Sequence, residues 1–341
     1  MAGNSKRKAL LLCKVVLLCL IGLSEALLNF NLRNLMRDGY FLERTADMNK
    51  RREIICTLVL IVTAFIWGCA FAAQSIGAGF VGPFTFLTAR TWIAFFALLP
   101  VIAVREQVLI RMGDRVKKTA GQSKMLILGG AVCGFFLFTA SASQQIGISF
   151  TTTAKAGFIT ALYVVLVPVL SFFLHRSVNR KVWGCVMLAV IGLYLLCMGE
   201  SFTLSAGDSW MLLCAFLFSL QILSVNYFVK YTDPVKLAAL EFLFEGIFAG
   251  ICMLVFEPLN AEGVMAALPT ILYAGFMSSA VGYTLQIVAQ DGLDPAVASI
   301  VMSFESVFAA LAGWVVLHEA MSARELIGCV LMFAAIVISQ I

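Results

Sequence analysis

Charged residues are scarce in this chain. Asp, Glu, Lys and Arg together make up 13% of its 341 residues, whereas hydrophobic residues make up 61%. Ordinary soluble domains contain about a quarter charged and about half apolar residues. The sequence has more apolar surface than a soluble core can bury, which excludes a water-soluble globular protein.

Sequence patterns that bind metals or nucleotides are missing as well. The chain has two histidines, and its ten cysteines include no CxxC pair and none with a histidine at ligand spacing. We therefore expect neither metal sites nor disulfides. The sequence also lacks a Gly-rich phosphate loop and any loop long enough for a nucleotide-binding domain. We predict that the protein is not an enzyme, uses no cofactor and is not driven by ATP bound to this chain.

Long apolar runs are what the sequence does contain. A run of about 20 residues is enough to cross the roughly 30 Å hydrocarbon layer of a membrane. The runs predict an all-α polytopic membrane protein with ten transmembrane helices. These helices are predicted at residues 54–73, 83–104, 125–146, 153–174, 181–199, 209–229, 235–256, 268–289, 295–317 and 325–341.

The basic residues indicate how these helices are oriented. They lie in short loops between apolar runs, which argues against nucleic acid as a partner. Fourteen Lys and Arg residues flank the helices on one side of the membrane, and the loops of the other side contain one, Arg324. Basic loops are retained in the cytoplasm. Both ends of the ten-helix unit are thus predicted to be cytoplasmic, in a plasma membrane of bacterial type.

Residues 1–47 form a predicted N-terminal extension. Basic residues from Lys6 onward precede an apolar run that is interrupted by Lys14 and Glu25. If this run were an additional span, its basic end would face outward, against the orientation rule. We interpret the extension as a leader or an interfacial helix, and sequencing the mature N-terminus would show whether it is retained.

Short matches between the two halves of the helical region suggest an internal duplication. Pro83 and Arg90 in the second helix correspond to Pro234 and Glu241 in the seventh, both at an offset of 151 residues. A second set of matches, at an offset of 144, joins the fifth and tenth helices. Because each half has an odd number of helices, the second half would enter the membrane upside down relative to the first.

The predicted organisation is therefore a pair of inverted repeats after the extension. The first repeat, with helices 1–5, covers residues 48–199, and the second, with helices 6–10, covers residues 200–341. Inverted repeats place a substrate site near the bilayer midplane. They also allow two conformations of opposite access with similar energies, which is the basis of alternating access.

Motifs in several predicted helices share their order and spacing with one known family. The motifs are Trp67-Gly68-Cys69-Ala70-Phe71, Ala89-Arg90, Thr151-Thr152-Thr153-Ala154 before Pro168, Ser303-Phe304-Glu305-Ser306 before His318-Glu319, and Leu326-Ile327-Gly328. Over residues 54–341 the chain resembles the EamA-type transporters of the drug/metabolite transporter superfamily. The resemblance implies ten helices in two inverted halves around a central cavity, and export or uptake of small metabolites. Ser306 stands where this family often has proline.

Ionisable residues within the apolar runs are the first candidates for function. At a helix centre each costs about 2.5–3.5 kcal/mol to insert, so each should face a cavity or a partner. Arg90 either forms a structural ion pair with Glu241 or binds an anionic group of a substrate. Glu241 and Glu245, one helical turn apart, would repel each other if both were ionised, so one should hold a proton unless a cation intervenes. Glu241, Glu245 and Glu305 are the proton-coupling candidates, and each has a purely structural alternative.

Neutral polar and aromatic residues complete the predicted site. On the eighth helix, Ser279, Tyr283, Gln286 and Gln290 recur at helical spacing, and Thr63, Trp67 and Gln74 share a face of the first helix. Such stripes favour a hydrated interior over isolated contacts between helices. The predicted substrate-binding residues are Trp67, Arg90, Gln144, Tyr163, Glu241, Tyr283, Gln286 and Glu305.

The sequence thus predicts a secondary active transporter of small metabolites, amino acids or drug-like solutes that works by alternating access, with a proton as candidate coupling ion. The resemblance favours export. The expected partners are membrane lipid and a small-molecule substrate, with the protein a monomer or a homodimer. The alternatives are a passive solute pore, a non-transporting membrane scaffold, and an integral-membrane lipid enzyme. The enzyme would need a cluster of histidine and acidic residues, but His175 and His318 lie at span ends on opposite sides.

Overall fold

The computed structural model of the protein describes residues 46–111, 120–151, 153–174, 178–197, 206–317 and 322–340. The chain divides into two compact units, Met1–Arg52 and Glu53–Ile341, and the packing and sites described below lie in the second. The predicted N-terminal extension lies outside the described residues, except for its last two residues. The described part is helical throughout and contains no strand.

The helices occur in the order expected from the apolar runs. They are α1 (Ala46–Ala78), α2 (Pro83–Arg111), α3 (Ala120–Gly147), α4 (Thr153–Ala161), α5 (Tyr163–Phe173), α6 (Arg180–Cys197), α7 (Ala206–Phe228), α8 (Pro234–Phe256), α9 (Ala261–Leu272), a π-helical segment (Tyr273–Tyr283), α10 (Thr284–Gln290), α11 (Pro295–Met302), α12 (Glu305–Leu317) and α13 (Ala323–Gln340). We group them into ten helical segments, in which α4 and α5 form segment 4. Segment 8 consists of α9, the π-helical segment and α10, and segment 9 consists of α11 and α12.

Eight of these segments are long and apolar enough to cross a membrane. They are Lys50–Ala78, Pro83–Gln107, Gln122–Gly147, Ala156–Phe173, Ala206–Phe228, Pro234–Phe256, Ala261–Gln290 and Pro295–Ala312. The chain is therefore a multi-pass membrane protein. The predicted fifth and tenth spans are helical too, as α6 and α13, but neither is among the eight. Each has 18 residues, close to the lower limit of about 17 for a span.

Three predicted helices are interrupted within the bundle. Segment 4 breaks at Leu162, whose amide donates to the carbonyl of Ile159 at 3.2 Å, three residues back. Segment 9 breaks at Ser303 and Phe304 in the same way, and the amide of Phe304 donates to the carbonyl of Val301 at 3.2 Å. Segment 8 widens into a π-helix in its centre. Such irregular turns inside helices often mark functional positions.

Asp-Pro pairs begin two of the helices in the second half of the chain. Asp233 caps α8 by accepting hydrogen bonds from the amides of the first turn, and Pro234 occupies the first helical position. Asp294 and Pro295 begin α11 in the same arrangement. Proline suits this position because its missing N–H would have no helical partner there.

Glu257 connects the end of α8 to the beginning of α2. Its Oε1 atom accepts a hydrogen bond from the amide of Phe84 at 2.8 Å. Its Oε2 atom accepts from the amide and the hydroxyl of Thr85 at 2.7 and 2.6 Å. A carboxylate is favourable at a helix N-terminus, where amides lack partners and the helix dipole is positive.

Replacing Glu257 with alanine should lower the melting temperature of the detergent-solubilised protein. The substitution leaves the first amides of α2 unpaired, which costs about 1–3 kcal/mol. The matched control is Glu262→Ala, since Glu262 is an exposed acidic residue in the first turn of α9 and its loss should change little. Equal melting temperatures for the two variants would contradict the capping role.

Packing between segments brings the two halves of the bundle into contact. Segment 2 packs against segment 7, segment 4 against segment 9, and α6 against α13. In addition, α3 packs against both α7 and α8, and the π-helical segment packs against α2. The interior surrounded by segments 1–4 and 6–9 contains the site described next.

Candidate functional site

A polar cavity lies in the middle of the bundle. Its volume is about 30 Å³, which is room for about two waters. Seven of the eight predicted substrate-binding residues line it, namely Trp67, Arg90, Gln144, Tyr163, Tyr283, Gln286 and Glu305. The cavity also has apolar walls, formed by Ala70, Phe71, Phe218, Ile222 and Met302.

The residue that follows each of the breaks in segments 4 and 9 places a polar side chain in this cavity. Tyr163 is the first residue of α5, directly after the break at Leu162, and Glu305 is the first residue of α12, directly after the break at Ser303 and Phe304. The Tyr163 hydroxyl donates a hydrogen bond to Oε1 of Glu305 at 3.0 Å. Glu305 is buried, with 4% of its surface exposed. The two interrupted segments therefore meet at one hydrogen-bonded pair.

Arg90 enters the cavity without a counter-ion. Its side chain is 2% exposed, and its one hydrogen bond to a described residue is a long one, from Nη1 to Oε1 of Gln74 at 3.5 Å. Its Nε atom has no partner. Within the described residues, no carboxylate lies within the 4.0 Å of an ion pair with it. The guanidinium is thus free to bind an anionic group, and the alternative of an ion pair with Glu241 is not seen.

Glu241 lies behind the cavity wall. Its Oε1 atom accepts a hydrogen bond from Nε2 of Gln221 at 2.8 Å, and Oε1 of Gln221 accepts from Nε2 of Gln286 at 3.2 Å. Gln221 and Gln286 line the cavity, whereas Glu241 is not among the lining residues. Glu241 is therefore connected to the cavity by hydrogen bonds through the side-chain amides of Gln221 and Gln286.

One wall of the cavity is aromatic. The rings of Trp67 and Tyr283 lie 4.8 Å apart at an angle of 51°. The Trp67 indole donates a hydrogen bond to the carbonyl of Ser278 in the π-helical segment at 3.1 Å. Ser278 and Tyr283 both line the cavity although they are five residues apart, because a π-helix has a wider turn than an α-helix. Ser279, which α-helical spacing selects, does not line it.

Four further polar residues contribute to the lining: Gln74, Thr160, Gln221 and Ser278. Gln74 belongs to the predicted polar stripe of α1. Gln221 is not among the predicted residues, although it is an uncharged polar residue within an apolar run, which is the same signal that Gln144 gives. Thr160 and Ser278 give no such signal, since hydroxyl residues are common in membrane helices.

Glu245 lies on α8, one turn beyond Glu241, and is 1% exposed. It does not line the cavity. Its carboxylate is next to the side chains of Thr91 on α2 and Ser141 on α3, and Arg90 contributes to its electrostatic environment. The Oε1 atom of Glu245 has no hydrogen-bond partner.

The sequence of the protein matches one known protein family. The model of the EamA-like transporter family matches the chain twice, over residues 54–198 and 205–340. The chain belongs to the EamA-like transporter family. The resemblance found in the sequence motifs is therefore confirmed, and the protein is a multi-pass transporter-family protein of the drug/metabolite transporter superfamily.

Two relatives of this EamA-like protein are named as uncharacterized transporters, and a third is named as a WAT1-related protein. An uncharacterized transporter of Archaeoglobus fulgidus is 29% identical over 304 residues, 87% of this chain and 90% of the relative. The uncharacterized transporter YoaV of Bacillus subtilis is 22% identical over 286 residues, 82% of this chain and 94% of its own length. A chloroplastic WAT1-related protein of Arabidopsis thaliana is 25% identical over 298 residues, 82% of this chain and 67% of its own length.

A solved crystal structure shares the fold. It superposes on this EamA-like protein with a TM-score of 0.65, covering 83% of this chain and 96% of the other, at 18% sequence identity.

Where the family often has proline after the ninth-helix glutamate, this chain has Ser306. The Ser306 hydroxyl donates to the carbonyl of Gly157 at 3.2 Å, so it ties α12 to α4 beside the pair of Tyr163 and Glu305.

Proposed function

We propose that this EamA-like protein is a secondary active transporter, working by alternating access, of small metabolites that carry both an anionic group and an amine. Amino acids are the simplest members of that class. The observation that carries the proposal is the central cavity, which joins an Arg90 without counter-ion and a Glu305 carboxylate on one polar surface. Family analogy makes export the proposed direction.

Both charges have a chemical role in this proposal. The planar guanidinium of Arg90 suits a carboxylate or another flat anion, because it donates two parallel hydrogen bonds. The carboxylate of Glu305 suits an ammonium group, or a proton exchanged for it. The flat surface of Trp67 and Tyr283 suits an aromatic or cationic part of the solute. Since the cavity holds about two waters, a solute can enter only when the bundle opens toward one side.

Two inverted repeats of five helices, residues 48–199 and 200–341, form part of the proposal. The double match of the family model supports them, and so does the packing pattern. If the two repeats are equivalent, segments 1–5 correspond to segments 6–10 in order. Three observed contacts each join a segment to its own counterpart, namely 2 with 7, 4 with 9 and 5 with 10. The contact of segments 3 and 7 maps onto that of segments 8 and 2.

One further contact follows the same correspondence. Segment 4 packs against α7, which is segment 6, and the corresponding contact of segments 9 and 1 occurs where Gly68 of α1 meets Phe308 of α12. Helix breaks in segments 4 and 9 also correspond. Such symmetry supports two conformations of similar energy with opposite access. With the basic loops in the cytoplasm, the proposed location is the plasma membrane of a bacterium, with both ends of the helical unit inside.

Counterflow in proteoliposomes tests the proposal. Vesicles containing the purified protein are loaded with a mixture of amino acids, and uptake of each radiolabelled amino acid from outside is measured. A carrier gives saturable uptake that is accelerated by solute on the opposite side. Uptake that rises linearly with concentration would indicate a passive pore, and absence of uptake for every solute of the class would contradict the proposal.

Glu305→Gln should reduce counterflow at least about tenfold, because the amide keeps the size of the side chain but cannot balance an ammonium group or release a proton. Tyr163→Phe, which removes the hydrogen bond to this carboxylate, should have a smaller effect in the same direction. Glu262→Gln is the control, since that carboxylate is exposed at the start of α9. If Glu305→Gln transports like the parent protein, Glu305 does not belong to the site.

A further inference from the structure

A second group of buried oxygen atoms lies outside the cavity, where α2, α3 and α8 meet. Its members are the carboxylate of Glu245 on α8 and the hydroxyls of Thr91 on α2 and Ser141 on α3. All three residues are buried, with exposed fractions of 1%, 0% and 0%. The two hydroxyls face the carboxylate closely enough to stabilise its charge, but no contact of Oγ1 of Thr91, Oγ of Ser141 or Oε1 of Glu245 has the distance and angle of a hydrogen bond.

Within the described residues, five buried hydroxyl oxygens have no hydrogen-bond partner, those of Thr88, Thr91, Ser141, Ser171 and Thr284, and two of these hydroxyls lie beside Glu245. Elsewhere the hydroxyl generally donates to a carbonyl one turn back in its own helix, as in Ser143 to Thr139 at 2.8 Å and Ser219 to Ala215 at 2.7 Å. A serine or threonine in an apolar helix adopts this arrangement because nothing else satisfies its hydroxyl. Ser141, two residues from Ser143 on the same helix, does not adopt it. Thr91 and Ser141 have thus turned from their own backbones toward Glu245.

The charges around this group are unbalanced. Tyr283 lies within electrostatic range of one guanidinium, Arg90, and of three carboxylates, Glu241, Glu245 and Glu305. Buried charges are unfavourable unless they are paired, and Arg90 forms an ion pair with none of the three. Glu241 accepts a hydrogen bond from Gln221 and Glu305 accepts one from Tyr163. Glu241 and Glu245 each have one carboxylate oxygen without a donor, Oε2 and Oε1 respectively. Of these two, Glu245 is the one that also lies beside two unpartnered hydroxyls, so its surroundings offer a cation more oxygen ligands.

We propose that Glu245, Thr91 and Ser141 bind one sodium ion, and that this ion drives transport. Oxygen atoms are the ligands that hard cations prefer. A single carboxylate with two neutral hydroxyls matches a monovalent ion, whereas divalent ions need more negative charge or several retained waters. The coupling role rests on the proposed transport function, whereas binding of the ion does not.

The position of the site explains how the ion and the solute are coupled. Arg90 lies within electrostatic range of Glu245, so the positive guanidinium opposes a cation bound at that carboxylate. When a solute places its anionic group on Arg90, this repulsion falls and sodium binds more tightly. Sodium and solute should therefore each raise the affinity for the other by the same factor. The ion also lies at the contact of segments 2 and 7, which belong to different proposed repeats.

Thermal melting of the purified protein tests the site without any transport. The melting temperature is measured in chloride salts of sodium, potassium and N-methylglucamine, at one pH and one ionic strength. Sodium should raise it in a saturable manner, because a ligand that binds the folded state stabilises it, and the other two cations should not. Equal melting in all three salts would overturn the inference. A second series at several pH values would also overturn it if the melting temperature changes with pH but not with the cation, because that result indicates a proton on Glu245.

Variants locate the ion. Thr91→Val and Ser141→Ala should each raise the sodium concentration for half-maximal stabilisation at least about tenfold, and Glu245→Gln should abolish the effect. Two matched control variants should keep the stabilisation by sodium. Thr270→Val removes a buried hydroxyl that is bonded to its own helix, and Ser171→Ala removes a buried, unpartnered hydroxyl on α5. Unchanged sodium dependence in Thr91→Val and Ser141→Ala would place the ion elsewhere and overturn the inference.

Equilibrium binding of radioactive sodium to the unmodified protein keeps the inference testable if the variants do not fold. One saturable site, not displaced by potassium, is expected, and absence of saturable binding would overturn the site. The outcome is also separable from the transport proposal. Counterflow without sodium binding would refute the ion site alone, whereas sodium binding without counterflow of any solute would refute the transport proposal and leave the site standing.

Discussion

Arg90→Ala should abolish counterflow while the protein remains as stable as its parent, or becomes more stable. Transport should fall at least about a hundredfold, because removing one partner of a buried charged contact costs about 2–5 kcal/mol. Stability should not fall, because a buried guanidinium without a counter-ion stabilises the fold little. Its hydrogen bond to Gln74, the one that it forms with a described residue, is 3.5 Å long. Counterflow and thermal melting of the same preparation measure both effects.

Arg90→Lys and Arg105→Ala make this test specific. Lysine keeps the charge but lacks the planar pair of donors, so it should restore less than about a tenth of the transport. Arg105 is on the same helix and pairs with Asp233 near the surface. Since such pairs contribute about 0–1 kcal/mol, Arg105→Ala should transport normally. Normal transport by Arg90→Ala would show that the central cavity is not the solute site.

The spans that were predicted correctly have a simple physical signal. Each of the eight is an apolar run bounded by charged or helix-breaking residues, and the hydrocarbon layer imposes its length. The interruptions at Leu162 and at Ser303 carry no such signal, because the apolar composition is the same on both sides of each break. The breaks depend on how segments 4 and 9 pack against each other, which a single run of sequence does not contain.

The sequence singles out those cavity residues that are costly to bury. An ionisable side chain in an apolar run must have a reason to be there, so the sequence indicates Arg90 and Glu305, and the structure places both at the cavity. Thr91 and Ser141 could not be found in this way, because hydroxyl residues in membrane helices usually satisfy themselves on their own backbone. In the structure the hydroxyls of these two residues do not bond to their own helices.

The helix period explains the remaining difference. A polar stripe on the eighth segment was predicted with α-helical spacing, which selects Ser279 together with Tyr283. The π-helical segment changes the number of residues per turn, so Ser278 takes the place of Ser279 on the cavity surface. A period assumed from one helix type is therefore unreliable across such a segment, even when the polar residues themselves are correctly identified.

Gly68→Leu should destroy the folded protein, whereas Gly184→Leu should be tolerated. A Cβ atom at Gly68 would lie 2.6 Å from Cβ of Phe308 and 2.8 Å from the backbone oxygen of Glu305. At Gly184 nothing lies within 4 Å. Both glycines are inside helices, so the intrinsic helix preference of the new residue is the same at both positions, and only the close packing of α1 against α12 differs.

The smaller substitution to alanine separates packing from function. Gly68→Ala should still fold with a stability lower by about 1–3 kcal/mol, the usual cost of overpacking, and Gly184→Ala should be neutral or slightly stabilising. Because the opposing atoms include the backbone of Glu305, α1 must move away from the start of α12 and carry Trp67 with it. Transport by Gly68→Ala should therefore fall more than its stability explains, which counterflow per folded protein measures. If Gly68→Ala loses stability but keeps full transport, the geometry of Trp67 and Glu305 does not determine transport.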